Sequence, residues 1–149
     1  MKHKAMRIAI FVLVVFGALT TLAGGIGLLT GAIAAPLNWL EGSPFVDYTI
    51  PGLALAVIVG GSMIFAAVTI LTGHEIGVLA SGFAGLAMMI FEIVEVPVID
   101  PYAGNSLSLA ISLQIFFIAL GLAIFVLATT LWMIEFRSQR FPVKHISHA

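Results

Sequence analysis

Residues 76–98 read IGVLASGFAGLAMMIFEIVEVPV, and the only charges in the run are Glu92 and Glu95, both near its C-terminal end. An α-helix rises about 1.5 Å per residue, so the run is long enough to cross the ~30 Å hydrocarbon core of a bilayer. Three further apolar runs, residues 8–34, 50–73 and 107–136, meet the same requirement. None alternates between apolar and polar positions as a barrel strand does, so helices are expected. The first and fourth exceed the minimum and should tilt or project beyond the hydrocarbon. The pattern predicts an all-α, four-helix transmembrane bundle with antiparallel neighbours, one membrane domain over residues 1–149, and an outer loop over residues 35–49.

Composition points the same way. Of 149 residues, 61% are hydrophobic and 9% charged, and mean hydropathy is +1.19. An ordinary soluble domain carries about 25% charged residues. This chain lacks the polar surface to cover a water-soluble fold or to stay disordered. A net charge of −1 and the absence of cysteine exclude a nucleic-acid binder, a disulfide scaffold and thiol-based redox chemistry. The expected surroundings are the lipid bilayer, with a second copy of the chain or a larger membrane complex as partner.

All six basic residues lie at the chain ends: Lys2, Lys4 and Arg7 before the first span, Arg137, Arg140 and Lys144 after the fourth. An even number of spans puts both ends on one side, and the positive-inside rule makes that side cytoplasmic, in a plasma (inner) membrane. The two outer connections carry Glu41, Asp47 and Asp100 and no Lys or Arg. A basic start, an apolar run and Ala32-Ile33-Ala34 also resemble a secretory signal. The run is about twice the length of a signal's apolar segment, which favours a retained span.

The outer loop mixes turn formers (Gly42, Ser43, Pro44) with Trp39, Phe45 and Tyr48, rings suited to the headgroup boundary. A short helical turn over residues 36–41 is expected, with Asp47 or Thr49 capping the second span and Pro51 in its first turn. The connection near Thr72-Gly73-His74-Glu75 is short enough to force a hairpin. The third, over residues 100–105, is rich in breakers. Trp132 and Phe136 mark the inner boundary of the last span.

In lipid, helices associate through close packing and polar pairs, so rows of small residues mark the contact faces. The candidate rows are Ala23, Gly27, Gly31 and Ala35 in the first span and Gly52, Ala56 and Gly60 in the second. In the third they are Gly77, Ser81 and Gly85, and in the fourth Ala110, Gly121 and Ala128. The same chemistry serves internal packing and a dimer face.

Glu92 and Glu95 lie three positions apart and share a helix side, with Glu92 in line with Ser81 and Gly85. A carboxylate in hydrocarbon needs a partner, a proton or water. Gln114 lies at a similar depth in the adjoining fourth span, so a Glu92–Gln114 hydrogen bond, donated by the carboxyl, is expected. Glu95, nearer the boundary, is expected to reach water. This polar cluster is the candidate proton, cation or amine-binding site, weighed against a purely structural interhelical bond. His74 and Glu75 read as a solvated turn, Glu135 as a weak surface partner of Arg137, and His3, His145 and His148 as tail residues without ligand spacing. No catalytic motif, metal site or cofactor site is found, so the chain does not read as an enzyme.

The loop segment Pro44-Phe45-Val46-Asp47-Tyr48-Thr49-Ile50-Pro51-Gly52-Leu53 resembles a PF-x-D-Y-x-x-PG-L motif of small four-span bacterial membrane proteins of unknown function. There the segment leads into the second span, a Glu recurs near the outer end of the third span and a Gln early in the fourth. Glu92 or Glu95, and Gln114, hold those places here. The resemblance spans most of residues 20–125 and implies the same topology, with no assigned activity. Small multidrug transporters are shorter and carry an essential Glu in the first span, whereas this chain has no charge between Arg7 and Glu41. The expected role is a structural, accessory or self-associating membrane protein. The alternative is a small proton- or cation-coupled transporter or channel using Glu92.

Overall fold

The computed structural model describes residues 3–41, 43–95 and 105–137, and the backbone alone of Trp39 and of residues 105–110. The end of the third apolar run beyond Glu95, the breaker-rich connection, the side chain of Ala110 and the tail beyond Arg137 lie outside the described residues. Four helices account for most of the chain, with no strand among the described residues. They are α1 (Lys4–Thr30), α2 (Thr49–Ile70), α3 (Glu75–Glu95) and α4 (Asn105–Trp132), the last continuing as a π-helical turn over Met133–Arg137. All four are long and apolar enough to cross a membrane. Val57, Val68, Phe83 and Ile115 are among the large apolar side chains left exposed along them. Such an apolar belt is unstable against water and matches hydrocarbon.

α1 stops at Gly31, whose left-handed backbone (φ 72°) turns its N–H onto the Leu28 carbonyl at 3.4 Å. A single 3-10 turn, Leu37–Leu40, follows in the connecting loop. At the other end of the molecule, Gly73 (φ 80°) makes the short turn from α2 to α3. The bundle thus has a loop end, at Gly31, and a turn end, at Gly73. The middle of α2, Ala54–Gly60, is wound as a π-helix, with Pro51 one turn before it where its missing N–H is harmless.

α1 packs on α2, α2 on α3 and α3 on α4, and α4 also touches α1, partly through an edge-to-face pair of Phe16 and Phe116 at 6.0 Å. Glycine decides three of these approaches. A Cβ on Gly25 would lie 2.7 Å from the Gly52 carbonyl oxygen and from Ala56. One on Gly77 would run into the Thr69 carbonyl, and one on Gly85 would lie 2.6 Å from the Gly121 carbonyl oxygen. Gly60 rests on Leu22 and Thr21. Ser81 is fully buried because its hydroxyl donates to its own helix, at the Gly77 carbonyl (2.7 Å), and so needs no partner from a neighbour.

The expected first-span row does not pack within the bundle. Ala23 and Gly31 are exposed, and Gly27 is covered by Ile33 of its own loop instead of by another helix. The face that packs carries Arg7, Ile10, Val14, Gly17, Thr21 and Gly25. The reason is continuity. Followed back along α1, the face of Ala23 becomes Leu19, Phe16 and Val12, all exposed and too bulky to sustain a close approach. Thr21 counts as small on the packed face because its hydroxyl is satisfied by the Gly17 carbonyl at 2.7 Å.

Candidate functional site

The charged residues collect at the two ends of the bundle, and the middle between them is packed with apolar side chains apart from Thr21 and Ser81, whose hydroxyls bond their own helices. Val14, Met63, Met88 and Ile124 are at most 1% exposed there. Gly17 lets Met63 and Met88 fill the centre, since a Cβ on it would touch both thioether chains. Thioethers are flexible and pack irregular space closely.

At the loop end, Glu92 and Gln114 are both buried. Glu92 lies two turns beyond Gly85 on α3 and Gln114 two turns before Gly121 on α4, so both occupy the faces that meet at the glycine contact. Gln114 Nε2 is buried and has no hydrogen-bond partner among the described residues, so any bond with Glu92 runs from the Glu92 carboxyl to the amide oxygen, as the sequence leads one to expect.

Glu95 is half-buried and borders a largely apolar cleft of about 140 Å³ together with Leu40, Phe45, Tyr48, Ala54 and Phe91. Two local bonds hold the loop over it. The Tyr48 hydroxyl donates to the Pro36 carbonyl at 2.9 Å, and the Thr49 N–H donates to Asp47 Oδ1 at 2.8 Å at the start of α2. The Thr49 bonds hold the exposed Asp47 carboxyl below its ordinary range. Burial pushes the Tyr48 phenol up, and the nearby Glu95 carboxylate adds to the effect. The loop aromatics Phe45 and Tyr48, read from the sequence as boundary residues, thus share one cleft with Glu95. Trp39 sits in the 3-10 turn beside Leu40, and only its backbone is described.

The turn end holds what sequence reasoning missed. Arg7 is 3% exposed. Its guanidinium donates to the Ile70 carbonyl (3.1 Å), to the Gly73 carbonyl (3.2 Å) and to the Glu135 carboxylate. The expectation that Glu135 serves as a surface partner of Arg137 is therefore replaced by an ion pair across the bundle. Glu75 is likewise engaged, accepting from Trp132 Nε1 at 2.8 Å. The sequence did hold a signal: Arg7, Val14 and Thr21 are spaced seven apart, on the face that packs.

Among the described residues no group of His, Asp and Glu is arranged to hold a metal ion. No family model matches the chain, and no curated protein or solved structure is similar to it. The functional reading therefore rests on the geometry of the two polar ends and of the filled centre.

Proposed function

We propose that this protein is a multi-pass plasma-membrane protein of accessory type, which works by binding at its loop end and does not conduct or exchange ions. The filled apolar centre carries this reading. A transported ion needs polar groups or water along its path. Between the Arg7 cluster and Glu92 the bundle offers the apolar side chains of Val14, Met63, Met88 and Ile124, and the two buried hydroxyls there, Thr21 and Ser81, are taken up by carbonyls of their own helices.

In this reading neighbouring helices are antiparallel, both termini are cytoplasmic and the loop end faces outward. The support is the placement of every Lys and Arg at the chain ends. The loop motif supports kinship with the small four-span bacterial proteins it resembles. A homodimer or a larger membrane complex is the natural assembly for a bundle with so much exposed apolar surface, although lipid covers the same surface. A second reading, a proton- or cation-coupled transporter using Glu92, draws on the burial of Glu92 and on the Gln114 amide nitrogen of the facing helix, which has no partner among the described residues.

Proteoliposomes loaded with a pH-sensitive dye separate the two. Under a pH or sodium gradient, the purified protein should add no flux above protein-free vesicles. A sustained flux that Glu92→Gln abolishes overturns the binding reading. Because the chain has no cysteine, single cysteines placed at Asp47 and at His74 report orientation. An impermeant thiol reagent applied outside the cell should label the first and spare the second.

A further inference from the structure

A second depression lies toward the turn end, between α3 and α4. It is largely apolar, with a volume of about 330 Å³, and Leu79, Gly82, Phe83 and Leu86 of α3 and Ala128 and Trp132 of α4 are among the residues that line it. Leu79 and Phe83 are more than half exposed, so the groove opens away from the core. Between Leu79 and Leu86 it runs about 10 Å along the helix. Small residues leave the gap: a Cβ on Gly82 would meet only the Ala128 methyl, at 3.7 Å. In a bundle whose helices cross a bilayer, such a surface faces acyl chains. An apolar groove alone holds a chain little better than the surrounding lipid does, so retention of one lipid needs a headgroup contact.

Charge at the same end supplies that contact. Arg137 follows Trp132 by the five residues that one π-helical hydrogen bond spans, which sets the exposed Arg137 one turn beyond the groove. Glu135, the acid nearest to it in sequence, is committed to Arg7, and Arg137 has no ion pair among the described residues. The other carboxylate at this end, Glu75, accepts from the Trp132 indole. Against it stand Arg137 and the exposed Lys4, and the flanking sequence adds Lys2, Arg140 and Lys144 and no acid. A guanidinium at the edge of the hydrocarbon is suited to a phosphate oxygen, and Trp132 is suited to the same boundary. We propose that the groove and Arg137 together hold one anionic phospholipid, with an acyl chain in the groove and the phosphate at the guanidinium. The site lies at the opposite end of the bundle from the cleft beside Glu95 and does not depend on what that end binds.

The full-length protein, delipidated in neutral detergent, is titrated with phosphatidylglycerol or with phosphatidylcholine of the same chains, and bound lipid is counted by native mass spectrometry. Phosphatidylglycerol should bind saturably and about fivefold or more tighter, the worth of one basic residue at an anionic lipid. Arg137→Gln should bring it down to the level of phosphatidylcholine. Lys4→Gln, which removes a charge from the same end away from the groove, should leave the preference in place. Gly82→Leu fills the groove with every charge kept, and should abolish saturable binding of both lipids. A free anion held by the basic residues alone would not feel that change. If Gly82→Leu fails to fold, Leu79→Trp, at an exposed position on the groove wall, takes its place. The proposal is overturned if the wild type shows no preference for the anionic lipid, or if Arg137→Gln keeps it. It is overturned equally if Lys4→Gln lowers affinity as far as Arg137→Gln does, which is diffuse attraction, or if the folded groove variant binds as the wild type does.

Discussion

Arg7 and Glu135, 128 residues apart in the chain, form one ion pair that ties the start of the first helix to the last turn of the fourth. The same guanidinium holds the carbonyls of Ile70 and Gly73, so a single side chain gathers α1, the α2–α3 turn and α4. The π-helical turn Met133–Arg137 carries Glu135, and a wider turn changes the direction in which that side chain leaves the helix.

Breaking this pair on one side strands a buried charge. Arg7→Met or Glu135→Gln should lower unfolding stability in detergent by about 3 kcal/mol. The double variant Arg7→Met/Glu135→Leu should recover part of that loss, since an apolar replacement removes both desolvation costs. Additive losses in the double-mutant cycle would contradict the pairing.

The glycine contacts make opposite predictions at neighbouring places. Gly85→Ala would press a methyl against the Gly121 carbonyl and should destabilise by about 1–3 kcal/mol. Gly61→Ala, with nothing within 4 Å of the added carbon, should be neutral or stabilising by up to about 1 kcal/mol. Gly31→Ala meets no neighbour either, yet the left-handed backbone there should cost about 1 kcal/mol. Denaturation midpoints of the three variants should rank Gly61→Ala above Gly31→Ala above Gly85→Ala.

Gln114 offers a test of the loop-end polar pair. Its amide nitrogen is buried without a partner among the described residues, a state that costs about 1–3 kcal/mol. Gln114→Leu should therefore leave stability unchanged or raise it by about 1 kcal/mol. The cycle with Glu92→Gln should show coupling below about 0.5 kcal/mol. A coupling of several times that size would report a bond from the Glu92 carboxyl to the Gln114 amide oxygen.

Tyr48 reports on the cleft through its titration. Its phenol is held above the ordinary range by burial and by Glu95. In a Tyr102→Phe background, the ultraviolet phenolate transition of Tyr48 should fall above pH ~10, and Glu95→Gln should move it down without fully normalising it. The sign for stability follows. A proton held more tightly in the folded state stabilises fully below the unfolded value and is lost as pH rises through the folded one. The loop should therefore loosen in strong alkali. Asp47 acts in reverse: its contribution is present above its unfolded value and is lost as pH falls through its lowered folded one. Asp47→Asn should remove that acid sensitivity.

By itself, the sequence determined four membrane-length helices, because uninterrupted apolar runs leave the backbone no other way to satisfy its hydrogen bonds in lipid. It also marked Gly52, Gly60, Ser81, Gly85 and Gly121 as packing positions and brought Glu92 and Gln114 to one level, since helical periodicity converts spacing into face and depth. Tertiary structure alone decided which of two small-residue faces on α1 is used, because that depends on the neighbour's shape along the whole helix. It decided the partner of Arg7, since an ion pair between residues so far apart in the chain leaves no local pattern. It also decided that the loop folds Phe45 and Tyr48 over Glu95, a closure set by single bonds such as Tyr48 to Pro36, whose partners no periodicity announces.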